Sequence, residues 1–159
     1  KKKCNQIKLV ITDVDGVLTD GGMYYSKNGE ILKKFNTRDG MAVELLRNNK
    51  IPVVIITGEK SQIVLSRAKK LLIKDVFIGI KKKELLLPKI CKKYKIKEDN
   101  IAYIGDDIND LKILQQVGFS ASPKDGMSVI KKKSNYVCKV KGGEGVLREV
   151  ADMIISFKE

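Results

Sequence analysis

The sequence predicts an α/β fold built on a mostly parallel sheet. Short apolar runs at residues 7–11, 51–56 and 101–104 read as buried strands. Amphipathic stretches of helical length separate them, the alternation expected of strand–helix–strand units. Small or acidic clusters follow the three runs: Asp13-Val14-Asp15-Gly16, Thr57-Gly58, and Gly105-Asp106-Asp107-Ile108-Asn109-Asp110. Ligands of parallel sheets bind beyond the carboxyl ends of the strands, where all three clusters fall.

The elements follow in order. After the first strand, Gly21-Gly22 leads into part-apolar residues 23–26, then Lys27-Asn28-Gly29, then residues 30–35. Asn-Gly between two such runs signals a β-hairpin, here an insertion at about 21–36 beside the first acidic cluster. The stretch from Gly16 to Asp39 is too short for a large cap. An open cleft would leave a bound ligand in water unless another subunit covers it, which argues for an oligomer.

Asp39 is placed to cap a helix over 40–49, whose apolar residues include Met41, Val43, Leu45 and Leu46. A strand at 53–56 and a helix at 60–72 follow. A short strand at 76–78 precedes a helix at 83–94. The strand at 101–104 leads to a helix at 110–117. A strand near 119–120, a helix at 125–132 and a strand at 136–137 complete the sheet. Gly142-Gly143-Glu144-Gly145 opens a last helix at 146–157. With no repeat or linker, one domain over 1–159 is expected.

Composition narrows the function. The net charge of +13 would suit nucleic acid, but the lysines are scattered and no aromatic-interleaved basic stretch occurs. No nucleic-acid partner is expected, and attraction of a small polyanion fits as well. Histidine is absent, which excludes His-based triads and His metal sites. Cys4, Cys91 and Cys138 match no zinc spacing and suggest a reducing, cytoplasmic setting. No apolar run approaches 18 residues, so no membrane span is expected.

The acidic clusters suggest the chemistry. Residues two apart in a strand share a side, so Asp13 and Asp15 leave the first strand toward one crevice. Two carboxylate clusters at the ends of two strands make a Mg2+ site if those strands lie side by side. Asp13 is the candidate nucleophile and metal ligand; Asp15 is the candidate acid and base. Thr57 and Gly58 offer a hydroxyl and backbone N–H groups to a phosphoryl oxygen. One lysine of Lys81-Lys82-Lys83 could neutralise phosphate and nucleophile together, but spacing does not choose among the three. Arginine is scarce, so Arg38, Arg67 and Arg148, each near a Gly or acidic punctuation point, stand out as grips for carboxylate or phosphate.

These four motifs, in this order, resemble the haloacid dehalogenase-type phosphatases. Asp-Val-Asp-Gly-Val-Leu-Thr-Asp-Gly from Asp13, the hairpin, Phe35-Asn36-Thr37-Arg38-Asp39-Gly40 and Gly142-Gly143-Glu144-Gly145 resemble its capless branch, which acts on 3-deoxy-2-ulosonic sugar phosphates. The resemblance implies a Rossmann-like three-layer domain and an aspartyl-phosphate mechanism. It implies Mg2+ held by the side chains of Asp13 and Asp106 and the backbone carbonyl of Asp15. It selects Lys83, with Asp110 orienting it and Asp107 and Asn109 supporting the metal loop. Arg38, Gly58, Glu59, Arg67 and Lys70 become substrate-facing residues, and Gly143, Glu144 and Gly145 the tail that approaches a neighbouring cleft. A homotetramer with shared sites is implied. Glu59, Arg67 and Lys70 resemble phosphatases of nine-carbon acids, such as deaminated or N-acylated neuraminate 9-phosphate. Arg38-Asp39-Gly40 is typical of those for 3-deoxy-D-manno-octulosonate 8-phosphate. The nine-carbon acids are the expected substrate and the octulosonate the alternative. The rival class is a non-catalytic oligomerisation domain of a CMP-sialate synthetase.

Overall fold

A computed structural model describes residues 2–158, so the ends of the expected 1–159 domain lie outside the described residues. Six parallel strands form the main sheet in the order β5-β4-β1-β6-β7-β8. They are β1 (Leu9–Thr12), β4 (Val53–Ile56), β5 (Asp75–Phe77), β6 (Ile101–Ile104), β7 (Phe119–Ser122) and β8 (Tyr136–Val137). Every residue of β1, β4 and β6 is buried, as a strand covered on both faces requires. Val10 pairs with Val53 on one side and Ala102 on the other, so β1 is central.

Alternation along β1 divides the core. Val10 joins the face packed by α1 (Lys2–Asn5), α2 (Thr37–Asn48), α3 (Gln62–Lys70) and α7 (Val146–Ser156). Leu9 and Ile11 join the face packed by α4 (Leu87–Tyr94), α5 (Leu111–Leu114) and α6 (Ser128–Lys133). The result is the expected three-layer, Rossmann-like arrangement. The chain runs from β1 to β4 and β5, then crosses to β6 on the other side of β1. That reversal opens a crevice at the carboxyl ends of β1 and β6.

Between β1 and α2 stands a two-stranded antiparallel hairpin, β2 (Tyr24–Ser26) and β3 (Gly29–Leu32), and no larger cap among the described residues. Its second strand ends at Leu32, three residues short of expectation, because Lys33 turns inward to the acidic cleft.

Several helix boundaries differ from the sequence reading. Asn36, not Asp39, caps α2: its Oδ1 accepts from the Arg38 N–H at 2.9 Å, and its backbone is extended. Asp39 lies in the first helical turn, buried, and accepts from the Arg148 N–H of α7 at 3.2 Å. The expected helix from residue 83 begins as a 3-10 turn, Lys83–Leu86, with the α-helix starting at Leu87. Pro88 has no N–H to donate to a helical turn before it, so it fits only the first turn of α4. The expected helix at 110–117 is a 3-10 turn, Ile108–Asp110, followed by the short α5. The helix expected from 125 starts at Ser128, because the Met127 N–H is drawn to the Asp106 carbonyl at 2.8 Å. The four-residue α1 was not foreseen.

Candidate active site

The crevice between β1 and β6 contains a cavity of about 250 Å3 lined by Asp13, Asp15, Thr57, Gly58, Glu59, Asp106, Asp107 and Asn109, with Gly16 and Gly21 at its wall. All three acidic or small clusters therefore meet. Asp13 continues the β1 ladder, its N–H donating to the Ile104 carbonyl of β6 at 3.0 Å. Gly16 is needed where the chain turns away: its φ is +82°, and a Cβ there would lie 1.9 Å from Asp106 Oδ2. Thr57 is buried after β4, with its N–H donating to Phe77 and its carbonyl accepting from Ile80, which ties the turn to β5.

The structure selects Lys83 from the triplet. Lys81 and Lys82 are exposed, whereas Lys83 is fully buried. Its Nζ donates to Asp13 Oδ2 at 2.8 Å and to Asp110 Oδ1 at 2.6 Å. Burial opposes the charge on Lys83, but Asp13 and Asp110 outweigh it and raise its pKa. Asp110 Oδ1 also accepts from the Tyr103 hydroxyl at 2.5 Å, and its Oδ2 accepts from the Asp106 N–H at 2.9 Å. Asp110 is thus consumed by protein donors, as suits a residue that orients the lysine.

Carboxylate oxygens of Asp13, Asp106 and Asp110 lie within 4.8 Å of one another. Burial and the Asp110 charge push the Asp13 carboxyl up, against the Lys83 ammonium. Burial, with Asp110 and Asp107, pushes Asp106 up to about 7. Crowded carboxylates of this kind suit a small hard cation, which favours their ionised forms. Asp110 is engaged at both oxygens by protein donors, and Asp13 accepts from Lys83 at Oδ2 and from the Val14 N–H at Oδ1, the latter at 2.7 Å.

Two partners of the site escaped the sequence reading. Tyr103 sits mid-strand in an apolar run, where a tyrosine reads as core. Lys33 lies on the hairpin, one lysine among many. Its buried Nζ donates to Asp15 Oδ1 at 2.6 Å and to Glu30 Oε1 at 2.5 Å. Burial disfavours that ammonium, yet Asp15 and Glu30 raise its pKa. The only sequence signal was the spacing of Glu30 and Lys33 just before Phe35-Asn36.

The other expected substrate residues do not line this cavity. Arg67 lies over the Phe35 ring, 5.6 Å from its centroid, and donates to the Asn36 carbonyl at 3.4 Å. Lys70 and Arg38 are exposed, with Arg38 packed beside Gly145. The glycine-rich tail segment packs on its own chain's Gly16–Asp20 turn: a Cβ at Gly142 would meet the Gly16 carbonyl at 2.1 Å. The Gly143 carbonyl accepts from Asn36 Nδ2 at 2.9 Å, and Glu144 is exposed.

A buried Asp–Lys pair beside a cation-binding carboxylate cluster, at the switch point of a parallel sheet, defines a metal-assisted phosphoryl-transfer site. Comparison with known proteins agrees. The family model for haloacid dehalogenase-like hydrolases matches residues 75–150. The 3-deoxy-D-manno-octulosonate 8-phosphate phosphatase KdsC of Escherichia coli K12 is 38% identical over 153 residues, covering 96% of this chain and 81% of that protein. The crystal structure of 3-deoxy-D-manno-octulosonate 8-phosphate phosphatase from Yersinia pestis matches with a TM-score of 0.96 at 36% identity, covering 99% of this chain and 85% of that one. The enzyme from Moraxella catarrhalis, crystallised with magnesium, phosphate and KDO, matches with a TM-score of 0.95 at 37% identity, covering 99% and 90%. The chain belongs to the haloacid dehalogenase-like hydrolases and is a phosphatase of their capless, KdsC-like branch. The reading as a non-catalytic oligomerisation module falls with that assignment.

Proposed function

We propose that the chain removes the terminal phosphate of 3-deoxy-D-manno-octulosonate 8-phosphate through an aspartyl-phosphate on Asp13. The carrying observation is the buried Lys83 bridging Asp13 and Asp110 beside Asp106, in a chain whose similar enzymes are named for that substrate. Asp13 attacks phosphorus while the bond to the sugar oxygen breaks, and Asp15 gives that oxygen its proton. Asp15 then takes a proton from water, whose oxygen attacks phosphorus and releases inorganic phosphate and the Asp13 carboxylate. Thr57 and Lys83 hold phosphoryl oxygens, and Asp107 and Asn109 support the loop. Mg2+, held by Asp13, Asp106 and the Asp15 carbonyl, would offset phosphate charge and align the phosphorus with Asp13.

The names of the relatives support the eight-carbon acid ahead of the nine-carbon acids expected from Glu59, Arg67 and Lys70. One observation keeps the nine-carbon reading as second: Glu59 lines the cavity mouth, where it can accept from sugar hydroxyls. The assembly we infer is a homotetramer. Met23, Tyr24, Tyr25, Ile31 and Leu32 of the hairpin are exposed, an apolar surface that a second copy would bury. In that assembly Arg38, Arg67, Lys70 and the tail residues Gly143, Glu144 and Gly145 would serve a neighbour's cleft. A cytoplasmic setting accords with three unpaired cysteines, Cys4, Cys91 and Cys138. Among the described residues no helix is long and apolar enough to cross a membrane.

The test is Mg2+-dependent phosphate release from octulosonate 8-phosphate and neuraminate 9-phosphate by the wild type and by Asp13→Asn. A higher kcat/KM on the eight-carbon acid supports the reading, and a higher value on the nine-carbon acid replaces it with the second. Full steady-state turnover by Asp13→Asn would remove Asp13 as nucleophile.

A further inference from the structure

We propose that Lys33 is a positioning residue for proton transfer: it clamps one oxygen of Asp15 and so ties the proton donor to the hairpin. Lys33 leaves β3 and buries its ammonium between two acids, 2.6 Å from Asp15 Oδ1 and 2.5 Å from Glu30 Oε1. The other Glu30 oxygen accepts from the Ser61 hydroxyl at 2.5 Å. Ser61 is the N-cap residue of α3, yet its side chain makes no capping bond. A cap bond of this kind is commonly worth about 1 kcal/mol. Its hydroxyl is given to the hairpin instead.

The four side chains form one line, Ser61–Glu30–Lys33–Asp15. It starts just past the Thr57-Gly58 turn, passes through the hairpin and ends on the candidate acid. Asp15 Oδ2 is buried and has no hydrogen-bond partner among the described residues. Lys33 therefore fixes the carboxyl by Oδ1 and leaves Oδ2 as the atom to carry the proton. When the phosphorus–oxygen bond breaks, that proton passes to the sugar oxygen while Asp13 keeps the phosphoryl group. Ile31 and Leu32, the two residues of the strand just before Lys33, are exposed. The strand that would meet another copy thus also holds the acid in place.

This role rests on the reading of Asp15 as proton donor, and leaving-group dependence separates the two. Departure of a sugar alkoxide needs a proton, whereas departure of p-nitrophenolate hardly does. The measured quantity is kcat/KM, which reports the steps through alcohol release, for octulosonate 8-phosphate and p-nitrophenyl phosphate. Lys33→Met is expected to lose about 100-fold on the sugar phosphate and under about 10-fold on the aryl ester, within the range for general acid catalysis. Lys33→Arg, which keeps the charge, is expected to recover part of the loss on the sugar phosphate alone. Asp15→Asn provides the reference. If it loses equally on both esters, the reading of Asp15 as acid fails. If it discriminates while both Lys33 variants lose equally on the two esters, or not at all, the positioning role is overturned. Should Lys33→Met fail to fold, Lys33→Arg and Ser61→Ala, which cuts the outer end of the line, carry the same comparison.

Discussion

Lys83 Nζ lies 2.6 Å from Asp110 Oδ1, and neither side chain is exposed. Lys83 also reaches Asp13 Oδ2 at 2.8 Å, so the pair bears on both stability and the proposed nucleophile. Removing one member of a buried pair typically costs about 3–5 kcal/mol, because the other is left uncompensated. Lys83→Met should therefore lower the urea midpoint and abolish turnover. Its destabilisation should shrink when Mg2+ is added, since the cation replaces part of the lost positive charge. A variant as stable as the wild type without Mg2+ would contradict this account.

The carboxylate cluster makes metal binding measurable without activity. A cation that binds only the folded chain stabilises it by about 2.7 kcal/mol at 100 times its Kd. Mg2+ should raise the Tm of the wild type, and EDTA should reverse the gain. Asp106→Asn should lose most of the shift, because the proposed ligand set takes the Asp106 side chain, which belongs to the acidic cluster. An equal Mg2+ shift in wild type and Asp106→Asn would remove that residue from the ligand set.

Asp39 carries a pH dependence away from the metal loop. Burial, opposed by the Arg148 and Leu147 N–H groups and by Arg67, pushes its carboxyl up from 3.8 to about 6. The folded chain holds this proton more tightly than the unfolded chain. Its contribution to stability therefore falls as pH rises from about 4 to 6, then stays constant. At about 1.4 kcal/mol per pH unit, the cost above pH 6 is on the order of 3 kcal/mol. Asp39→Asn should reduce the fall in stability between pH 4 and 6, measured by urea unfolding at fixed ionic strength; the raised Asp13 and Asp106 carboxyls keep part of it. An unchanged slope would show that Asp39 titrates alike in both states.

The sequence made visible what depends on local pattern. Apolar runs placed β1, β4 and β6, and punctuation at their ends placed Asp13, Thr57 and Asp106 in one crevice. Contacts across long separations were hidden. Lys33 reaches Asp15 only because the hairpin folds back over the turn, and Tyr103 meets Asp110 only once β6 and the following 3-10 turn are in place. The cap of α2 was misplaced because Asn36 and Asp39 are both good capping residues, and α7 supplies the partner that draws Asp39 inward. The resemblance made Arg67 a substrate-facing residue together with Glu59. Phe35 and the Asn36 carbonyl, which only the tertiary fold brings near, hold it elsewhere.

Assembly should follow the exposed apolar side chains of the hairpin. Tyr25 is 60% exposed and Ile31 56%, and with Met23, Tyr24 and Leu32 they gather exposed apolar side chains on the hairpin that a second copy would cover. Sedimentation at micromolar protein should show a tetramer. The double variant Tyr25→Glu with Ile31→Glu should sediment as a smaller species, because each new carboxylate would have to be buried unpaired. A wild-type monomer with full activity on a sugar phosphate would refute both the assembly and its role in completing the site.

Glu59 should tune substrate choice and leave phosphoryl transfer alone. Its side chain is exposed at the cavity mouth, while its backbone closes the turn: the Glu59 N–H donates to Thr57 Oγ1 at 3.4 Å, and its carbonyl accepts from the Gly79 N–H at 3.1 Å. Removing the side chain therefore spares the turn that positions Thr57. A lost polar contact to a sugar hydroxyl costs about 1–3 kcal/mol, or roughly 5- to 150-fold in kcat/KM. Glu59→Ala should show that loss on neuraminate 9-phosphate, a smaller one on octulosonate 8-phosphate, and almost none on p-nitrophenyl phosphate. Arg67→Ala should lower kcat/KM on both sugar acids only if Arg67 grips substrate across a subunit boundary, since Phe35 and Asn36 hold it outside its own cleft. Equal losses on all three esters would show that Glu59 supports the fold of the site and does not select the substrate.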